Sequence, residues 1–332
     1  MHRDLKTGPT LILAPIRGIT DVVYREAFAR CFGGFDRAVA PYLQPRRGHA
    51  LRPVELRQVD PELNRGMKTI PQLLTNDPQT FVDALFELSD AGHMEVNWNL
   101  GCPSPNVAGR GRGAGLLPHP QRIDEILTYV LAKTPVKLSV KIRLGYKEPD
   151  EHLAVIDVLN RHSLTEVTLH ARTGEQMYGG VADVARAEEA LACCRHPFVY
   201  NGDITDPHDF SELQQRLAGA AGWMIGRGAL MSPFLPLILK EAGDVVEADA
   251  GWSALPVPAV RGPRLRQFHD LLFDGYGQWL SGPGHLLDRM AAQWSYLAHS
   301  FADPKQVATR LGRCRDVSTY RTAVDWAFDQ ML

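Results

Sequence analysis

The sequence offers little to work with in cysteine. Its five cysteines, Cys31, Cys102, Cys193, Cys194 and Cys314, form no CxxC pair and no paired metal-ligand spacing. An odd, unframed set argues against a disulfide-stapled module or a zinc ribbon and fits a reducing compartment, so a cytoplasmic location is expected. Long apolar runs are missing too: nowhere do about 18 apolar residues follow one another, which argues against a membrane span. The first ten residues, MHRDLKTGPT, carry no apolar run, and no signal peptide is expected. Neither sign of charge dominates. With 36 Lys and Arg against 38 Asp and Glu the formal charge is -2, so any attraction to nucleic acid must be local. Long-period repeats and low-complexity tracts are absent. What remains is ordinary globular composition, 45% hydrophobic and 22% charged, over 332 residues. That length suits one large domain with a smaller one, or two of moderate size, and needs no disulfide staples.

Short β-branched runs recur at 11–14, 38–40, 69–73, 94–98, 138–142, 166–170, 198–201 and 223–226. Helical patterns fill most gaps. Residues 77–91 place Phe81, Leu85 and Leu88 on one stripe, and 124–132 do the same with Ile126, Leu127, Val130 and Leu131. Strands alternating with helices indicate parallel βα units, and eight of them predict an α/β fold of the (β/α)8 TIM-barrel type. A doubly wound sheet is the rival. Gly251, Pro256, Pro258, Gly262 and Pro263 then mark a linker, after which the apolar spacing is helical to the end. The expected organisation is a catalytic barrel over 1–242, a linker over 243–263 and a small all-α bundle of about four helices over 264–332.

Function in a barrel sits where strands end and βα loops begin. Polar residues gather there: Pro15-Ile16-Arg17-Gly18, Gln72, Asn99 and Cys102, Lys141 and Arg143, His170 and Arg172, Asn201-Gly202-Asp203, and Gly226-Arg227-Gly228. Any one of them alone is as well explained by packing. Together they point to a ligand. The glycines of NGDITD (201–206) and GRGAL (226–230) let backbone N–H groups approach an anion, as the last two loops of such barrels frequently do. Arg227 adds charge. Gln72, Asn99 and Lys141 offer hydrogen bonds deeper in, which suits a flat polar heterocycle with a phosphate tail, such as flavin mononucleotide (FMN). GRGRGAG (109–115) does not meet G-x-G-x-x-G and does not join a strand directly to a helix, so a dinucleotide fold is discounted. A mobile loop closing over substrate, with Arg110 and Arg112 for phosphate, is expected instead.

The lone thiol of NLGCPSPNV (99–107) is open to several roles: nucleophile, metal ligand, general acid or buried apolar residue. Companion metal ligands are lacking. An unactivated thiol, with a reference pKa of about 8.5, is mostly protonated at neutral pH and suits proton donation. Read in order, NLGCPSPNV, VKIRLGY, LHART, YNGDI and MIGRGAL resemble the tRNA-dihydrouridine synthase family over nearly the whole chain. The resemblance implies an FMN-containing barrel that reduces uridine in tRNA to 5,6-dihydrouridine, with NADPH or NADH recharging the flavin. It implies Cys102 as proton donor and Asn99 as its partner on the uracil. Pro15, Ile16, Gln72, Lys141, His170, Asn201, Asp203, Gly226 and Arg227 fall on flavin positions, and Arg17 and Gly202 are placed with them. Arg172 and Tyr178 fall where the family meets the target nucleotide. The chain departs in its first loop, APIRG, where the family more often has APM before a small or acidic residue. It departs again at AGRGRGAGLL, where a lysine-bearing loop is commoner.

The nucleic-acid signal is local. Arg46, Arg47, Arg52 and Arg57 surround His49 in 44–57. In the bundle Arg261, Arg264 and Arg266 form one cluster and Arg310, Arg313 and Arg315 another, with Tyr276, Trp279, Trp294 and Tyr296 between them. Trp294 falls on the apolar stripe and reads as core. A barrel flavoenzyme acting on a free pyrimidine would not need this appendage, and a barrel that only binds RNA would not need Cys102, Lys141 and His170. The stretch AAQWSYLAHSF (291–301) resembles the branch acting at position 16. A monomer without stable protein partners or a metal is expected.

Overall fold

The structure, a computed structural model, describes residues 8–46, 48, 51–242 and 258–331. Nine parallel strands follow one another around a barrel: β1 (Leu11–Leu13), β2 (Arg37–Val39), β3 (Thr69–Ile70), β4 (Gln72–Leu73), β5 (Glu95–Leu100), β6 (Lys137–Gly145), β7 (Val167–Thr173), β8 (Phe198–Asn201) and β9 (Gly222–Ile225). Pairing runs β3-β2-β1-β9-β8-β7-β6-β5-β4. The two ends of that order are halves of one predicted strand. Pro71 lacks the N–H that a ladder needs, so the strand breaks there, and β3 pairs β2 while β4 pairs β5. An eight-unit barrel results, and the doubly wound alternative falls.

The helices are α1 (Val22–Cys31), α2 (Pro53–Val59), α3 (Pro78–Asp90), α4 (Pro105–Ala108), α5 (Pro120–Leu131), α6 (Glu151–Leu159), α7 (Val184–Cys193), α8 (Pro207–Arg216), α9 (Arg227–Met231) and α10 (Leu235–Ala242), then α11 (Pro258–Trp279), α12 (Gly282–Leu297), α13 (Pro304–Gly312) and α14 (Val317–Asp329). Their starts are written locally. Asp77, Asp206 and Asp303 each accept a bond from the backbone N–H three residues on, with proline following at the first helical position. Proline also starts α5, four residues before the sequence pattern placed it. The last four helices are the expected bundle. Residues 258–263, assigned to the linker, instead form the opening turns of α11, and the rest of that linker lies outside the described residues.

The bundle does not hang free. Its apolar core is continuous with α1: Tyr24, Phe28 and Phe32 pack on Phe268 of α11 with ring centroids 5.5, 6.2 and 5.1 Å apart. Farther in, fully buried Trp294 donates to the Tyr320 hydroxyl at 2.8 Å and stands against Phe301 and Phe328. Among the described residues no helix is long and apolar enough to cross a membrane. Truncating Trp294 to alanine removes the centre of that cluster and leaves the Tyr320 hydroxyl without its donor. It is expected to cost about 3–5 kcal/mol in urea unfolding, and a loss below about 1 kcal/mol would contradict the packing described.

Candidate active site

Strand register sets which side chains meet. β5 and β6 pair Asn99 with Lys141, β6 and β7 pair Arg143 with His170, and β7 and β8 pair His170 with Asn201. Lys141 and Arg143, two apart on one strand, share a face. All of these residues line a cavity of about 500 Å³ at the carboxyl ends of the strands, with Pro15, Ile16, Arg17, Tyr42, Cys102, Tyr178, Gly202, Asp203, Gly226 and Arg227 around the rest of its wall. Among the described residues its charged lining is four basic side chains, Arg17, Lys141, Arg143 and Arg227, against one carboxylate, Asp203. An anionic ligand is therefore favoured.

The turn that bears the thiol is held at every backbone group. Asn99 Oδ1 accepts from Gly101 N–H at 3.1 Å and Cys102 N–H at 2.8 Å. Arg143 Nε donates to the Gly101 carbonyl at 2.9 Å, and Ala114 N–H donates to the Cys102 carbonyl at 3.0 Å. Behind Asn99 runs a buried amide relay. Asn99 Nδ2 donates to Gln72 Oε1 at 2.7 Å, Gln72 Nε2 to Asn97 Oδ1 at 2.8 Å, and Asn97 Nδ2 to Ser139 Oγ at 3.0 Å. Gln72 was expected on the cofactor. It is fully buried, does not line the cavity, and orients Asn99 instead. Asn99 faces the cavity, but its amide already builds the Cys102 turn.

Lys141 is buried and donates from Nζ to Asn201 Oδ1 at 2.8 Å, while Asn201 Nδ2 donates to the Met224 carbonyl. Burial first, then the cation of Arg143, pulls its pKa down to about 7. His170 is buried among cations, and burial followed by Arg143 and Lys141 holds its pKa well below the usual range. Arg172 Nη1 donates to His170 Nε2 at 3.3 Å, so Nε2 carries the lone pair. Asp203 has φ of +31°, and its carboxylate receives Arg172 at 2.5 Å, Ala182 N–H at 2.9 Å and Arg227 at 3.1 Å. Burial opposes its ionisation, yet these donors, Arg172 foremost, keep the pKa below the carboxylate norm.

Two assignments move. Arg172, expected at the target nucleotide, is 1% exposed and spent on Asp203, His170 and the carbonyls of Gly179 and Gly180. It supports the Tyr178 loop from beneath. Tyr178 itself is 53% exposed at the rim, with the guanidinium groups of Arg143 and Arg227 within 5.3 and 5.5 Å of its ring. The segment expected as a mobile loop, 109–115, follows α4 as a turn and runs into a 3-10 turn, Gly113–Leu116. Asn76 Nδ2 donates to the Arg110 and Gly111 carbonyls, and a Cβ on Gly115 would lie 2.2 Å from the Ala108 carbonyl oxygen. Arg110 and Arg112 stand outside the cavity lining, Arg110 exposed and Arg112 bonded to Asn76. Two contributors were given no role. Tyr42 accepts from Arg17 at 2.9 Å, and its pKa is raised by burial and then by its neighbour Cys102. No sequence pattern marks it. Arg143 was legible only as the second polar position of VKIRLGY.

On the bundle, Arg310, Arg313 and Arg315 are exposed, Arg310 lying over Trp326 at 4.2 Å. The first arginine cluster is less free, since Arg266 is paired with Asp270 and Asp325. Arg57 covers Trp279 at 3.9 Å, Arg52 is paired with Glu55, and Arg47 and His49 lie outside the described residues. Trp294 is core, as read, and so is Tyr276.

The donor set fits a phosphate-bearing flavin. One buried amine of lowered pKa faces the cavity beside an amide, suited to a polar ring edge. Gly202, Gly226 and Gly228 line the same cavity with no side chain of their own, and at Gly228 and Gly202 a Cβ would collide with the Ile204 carbonyl oxygen at 2.0 Å and the Tyr200 hydroxyl at 2.8 Å. The volume is that of a small-molecule site. Lysine 141 provides a test of the electrostatics. Below pH 7 it is charged whether folded or not, and its burial costs stability. As pH rises from about 7 towards the ordinary 10.5, the folded chain releases the proton first and that cost is relieved. An NMR titration of its ε-methylene in flavin-free protein is expected to show a midpoint near 7, and a midpoint at the ordinary 10.5 would contradict it.

Comparison with known proteins gives concordant results. Residues 12–247 match the family model described as dihydrouridine synthase. The tRNA-dihydrouridine(16) synthase of Ralstonia nicotianae is 29% identical over 253 residues, covering 73% of this chain and 76% of that protein. The tRNA-dihydrouridine synthase B of Proteus vulgaris is 28% identical over 325 residues, covering 97% and 96%. Among solved structures, the old yellow enzyme homologue of Zymomonas mobilis shares the barrel, with a TM-score of 0.54 at 13% identity over 71% of this chain and 91% of that one.

Proposed function

The chain belongs to the dihydrouridine synthase family, flavin-dependent oxidoreductases, and on that premise we propose that it uses FMN and NADPH to reduce one uridine of the tRNA D-loop, uridine 16, with Cys102 as proton donor. The observation that carries this reading is the locked turn at Cys102 facing the same cavity as Lys141. Lys141 and Asn201 would hold the ring edge, Pro15 and Ile16 its apolar side, and the backbone at Gly202 and Gly226 with Arg227 the phosphate. The flavin, when bound, would supply a hydride to uracil C6. Negative charge then develops at C5 and the C4 oxygen, and Cys102 delivers the proton to C5. Asn99 Oδ1 accepts from the Cys102 N–H and Arg143 Nε donates to the Gly101 carbonyl, so the acid is positioned before substrate arrives. The buried cation of Arg143 lines the same cavity and would stabilise the charge that develops. His170, held neutral, adds no charge of its own. The target base must leave its stack to enter the cavity.

In this reading the barrel carries the chemistry and the bundle carries RNA, acting as a cytoplasmic monomer. Exposed Arg310, Arg313 and Arg315 favour a polynucleotide over a free pyrimidine. The choice of uridine 16 rests on relatives of that name. Within the AAQWSYLAHSF stretch, Trp294, Leu297, Ala298 and Phe301 are bundle core and do not face RNA.

Wild-type protein supplied with FMN and NADPH is expected to form dihydrouridine at position 16, read by mass spectrometry of the tRNA. Cys102→Ala should keep its flavin and the reduction of that flavin by NADPH while uridine reduction falls by about 100- to 10,000-fold. Unchanged turnover would remove Cys102 from the acid role. Replacing Arg310, Arg313 and Arg315 together by glutamine should lower the slope of log affinity for tRNA against log salt by about 2 to 3. A slope equal to wild type would exclude that patch.

A further inference from the structure

The first βα loop, Ala14 to Asp21, forms one wall of the cavity through Pro15, Ile16 and Arg17. Internally it is closed by Thr20, whose hydroxyl accepts from Ile16 N–H at 2.8 Å and donates to the Ala14 carbonyl at 3.1 Å. Its outer face is held by the bundle. Arg289 Nη1 of α12 donates to the Gly18 carbonyl at 3.1 Å and to Asp21 Oδ2 at 2.6 Å. One turn on, buried Gln293 donates from Nε2 to the Ile19 carbonyl at 3.1 Å and to the Tyr276 hydroxyl at 2.9 Å. That hydroxyl in turn donates to Asp21 Oδ1 at 3.0 Å. Asp21 also caps α1 by accepting from Tyr24 N–H. Ile16, whose side chain meets the cavity, packs on the apolar cluster shared by α1 and the bundle. A second attachment lies beyond the neighbouring strand end, where Ser300 Oγ donates to the carbonyl of Met231, another cavity residue.

We infer that the C-terminal bundle is a working part of the flavin site, with Arg289 and Gln293 as positioning residues that hold the first βα loop in its cofactor-receiving shape. This rests on the flavin reading of the cavity. Successive carbonyls of a short loop containing Gly18, which has φ of +80°, have few ways to stay ordered without donors. The donors at Gly18 and Ile19 come from a helix more than 260 residues away in sequence, as the separations of 271 and 274 show. Neither side chain touches the cavity, so their effect on flavin passes through the loop. The bundle thus has two functions, RNA contact on its exposed arginine face and support of the cofactor wall on its buried face.

The test is the affinity of apoprotein for FMN, followed by quenching of flavin fluorescence, in wild type, Gln293→Met, Arg289→Ala and Arg289→Lys. Circular dichroism reports folding, and anisotropy reports tRNA affinity of the same apoproteins. Loss of the loop donors is expected to raise the Kd for FMN by about tenfold or more in Gln293→Met and Arg289→Ala. Arg289→Lys should recover part of the loss, and tRNA affinity should stay within about twofold of wild type. Should Arg289→Ala fail to fold because Asp21 loses its ion-pair partner, Gln293→Met decides. An FMN affinity within about twofold of wild type in folded Gln293→Met would overturn the proposal. So would equal losses of flavin and tRNA affinity with a lowered thermal midpoint, which mean a damaged bundle. Wild-type protein that binds no FMN would instead contradict the cofactor reading beneath it.

Discussion

One carboxamide oxygen, that of Asn99, organises the reactive end of this barrel. It receives the N–H groups of both Gly101 and Cys102, and because it must face them, its amide nitrogen must face Gln72. The same logic passes inward through Asn97 to the Ser139 hydroxyl. Each member has one satisfying orientation, since a flipped amide would set donor against donor within the buried relay. A polar ladder of this kind adds little stability over an apolar core. What it secures is direction: the thiol emerges from a turn that cannot swing.

Charge is arranged around that turn in the same economical way. Cations dominate the mouth, yet most of them are already committed. Arg172 and Arg227 meet on Asp203, Arg143 is fixed on three carbonyls, and Lys141 is held by Asn201 at a pKa of about 7. Burial, and after it these cations, suppress the charge of His170, and the cations leave a field that favours a phosphate and an electron-rich ring. The same field disfavours further positive charge. Support for this arrangement reaches beyond the barrel, since α12 of the bundle bonds the loop that carries Pro15 to Arg17.

Much of this was legible from local pattern. β-branched runs bounded by turn residues marked every strand, and the polar residues at their ends marked the cavity. The Pro71 break was not anticipated, because a proline inside a run leaves the periodicity of its neighbours intact. Residues 258–263 read as linker from their proline and glycine, while packing of the following apolar stripe carries α11 back through them. Composition also misread GRGRGAG. Gly113 and Gly115 there sit in close packing against Cys102 and Ala108, where a Cβ would not fit. Arg172 and Gln72 illustrate a different limit. Motif position places a residue near a site but does not say whether its side chain faces ligand or neighbour, and here both face neighbours. Tyr42 and the bonds from α12 depend on contacts distant in sequence, which no local pattern encodes.

The most direct measurement is a crystal structure of the flavin-loaded protein with a uridine-containing oligonucleotide bound. The account predicts the uracil ring between the isoalloxazine and the 99–102 turn, with Cys102 Sγ about 3–3.5 Å from C5 on the face away from the flavin. A sulfur turned back towards Val107 and Gly113, or a uracil lying elsewhere than over the 500 Å³ cavity, would contradict it.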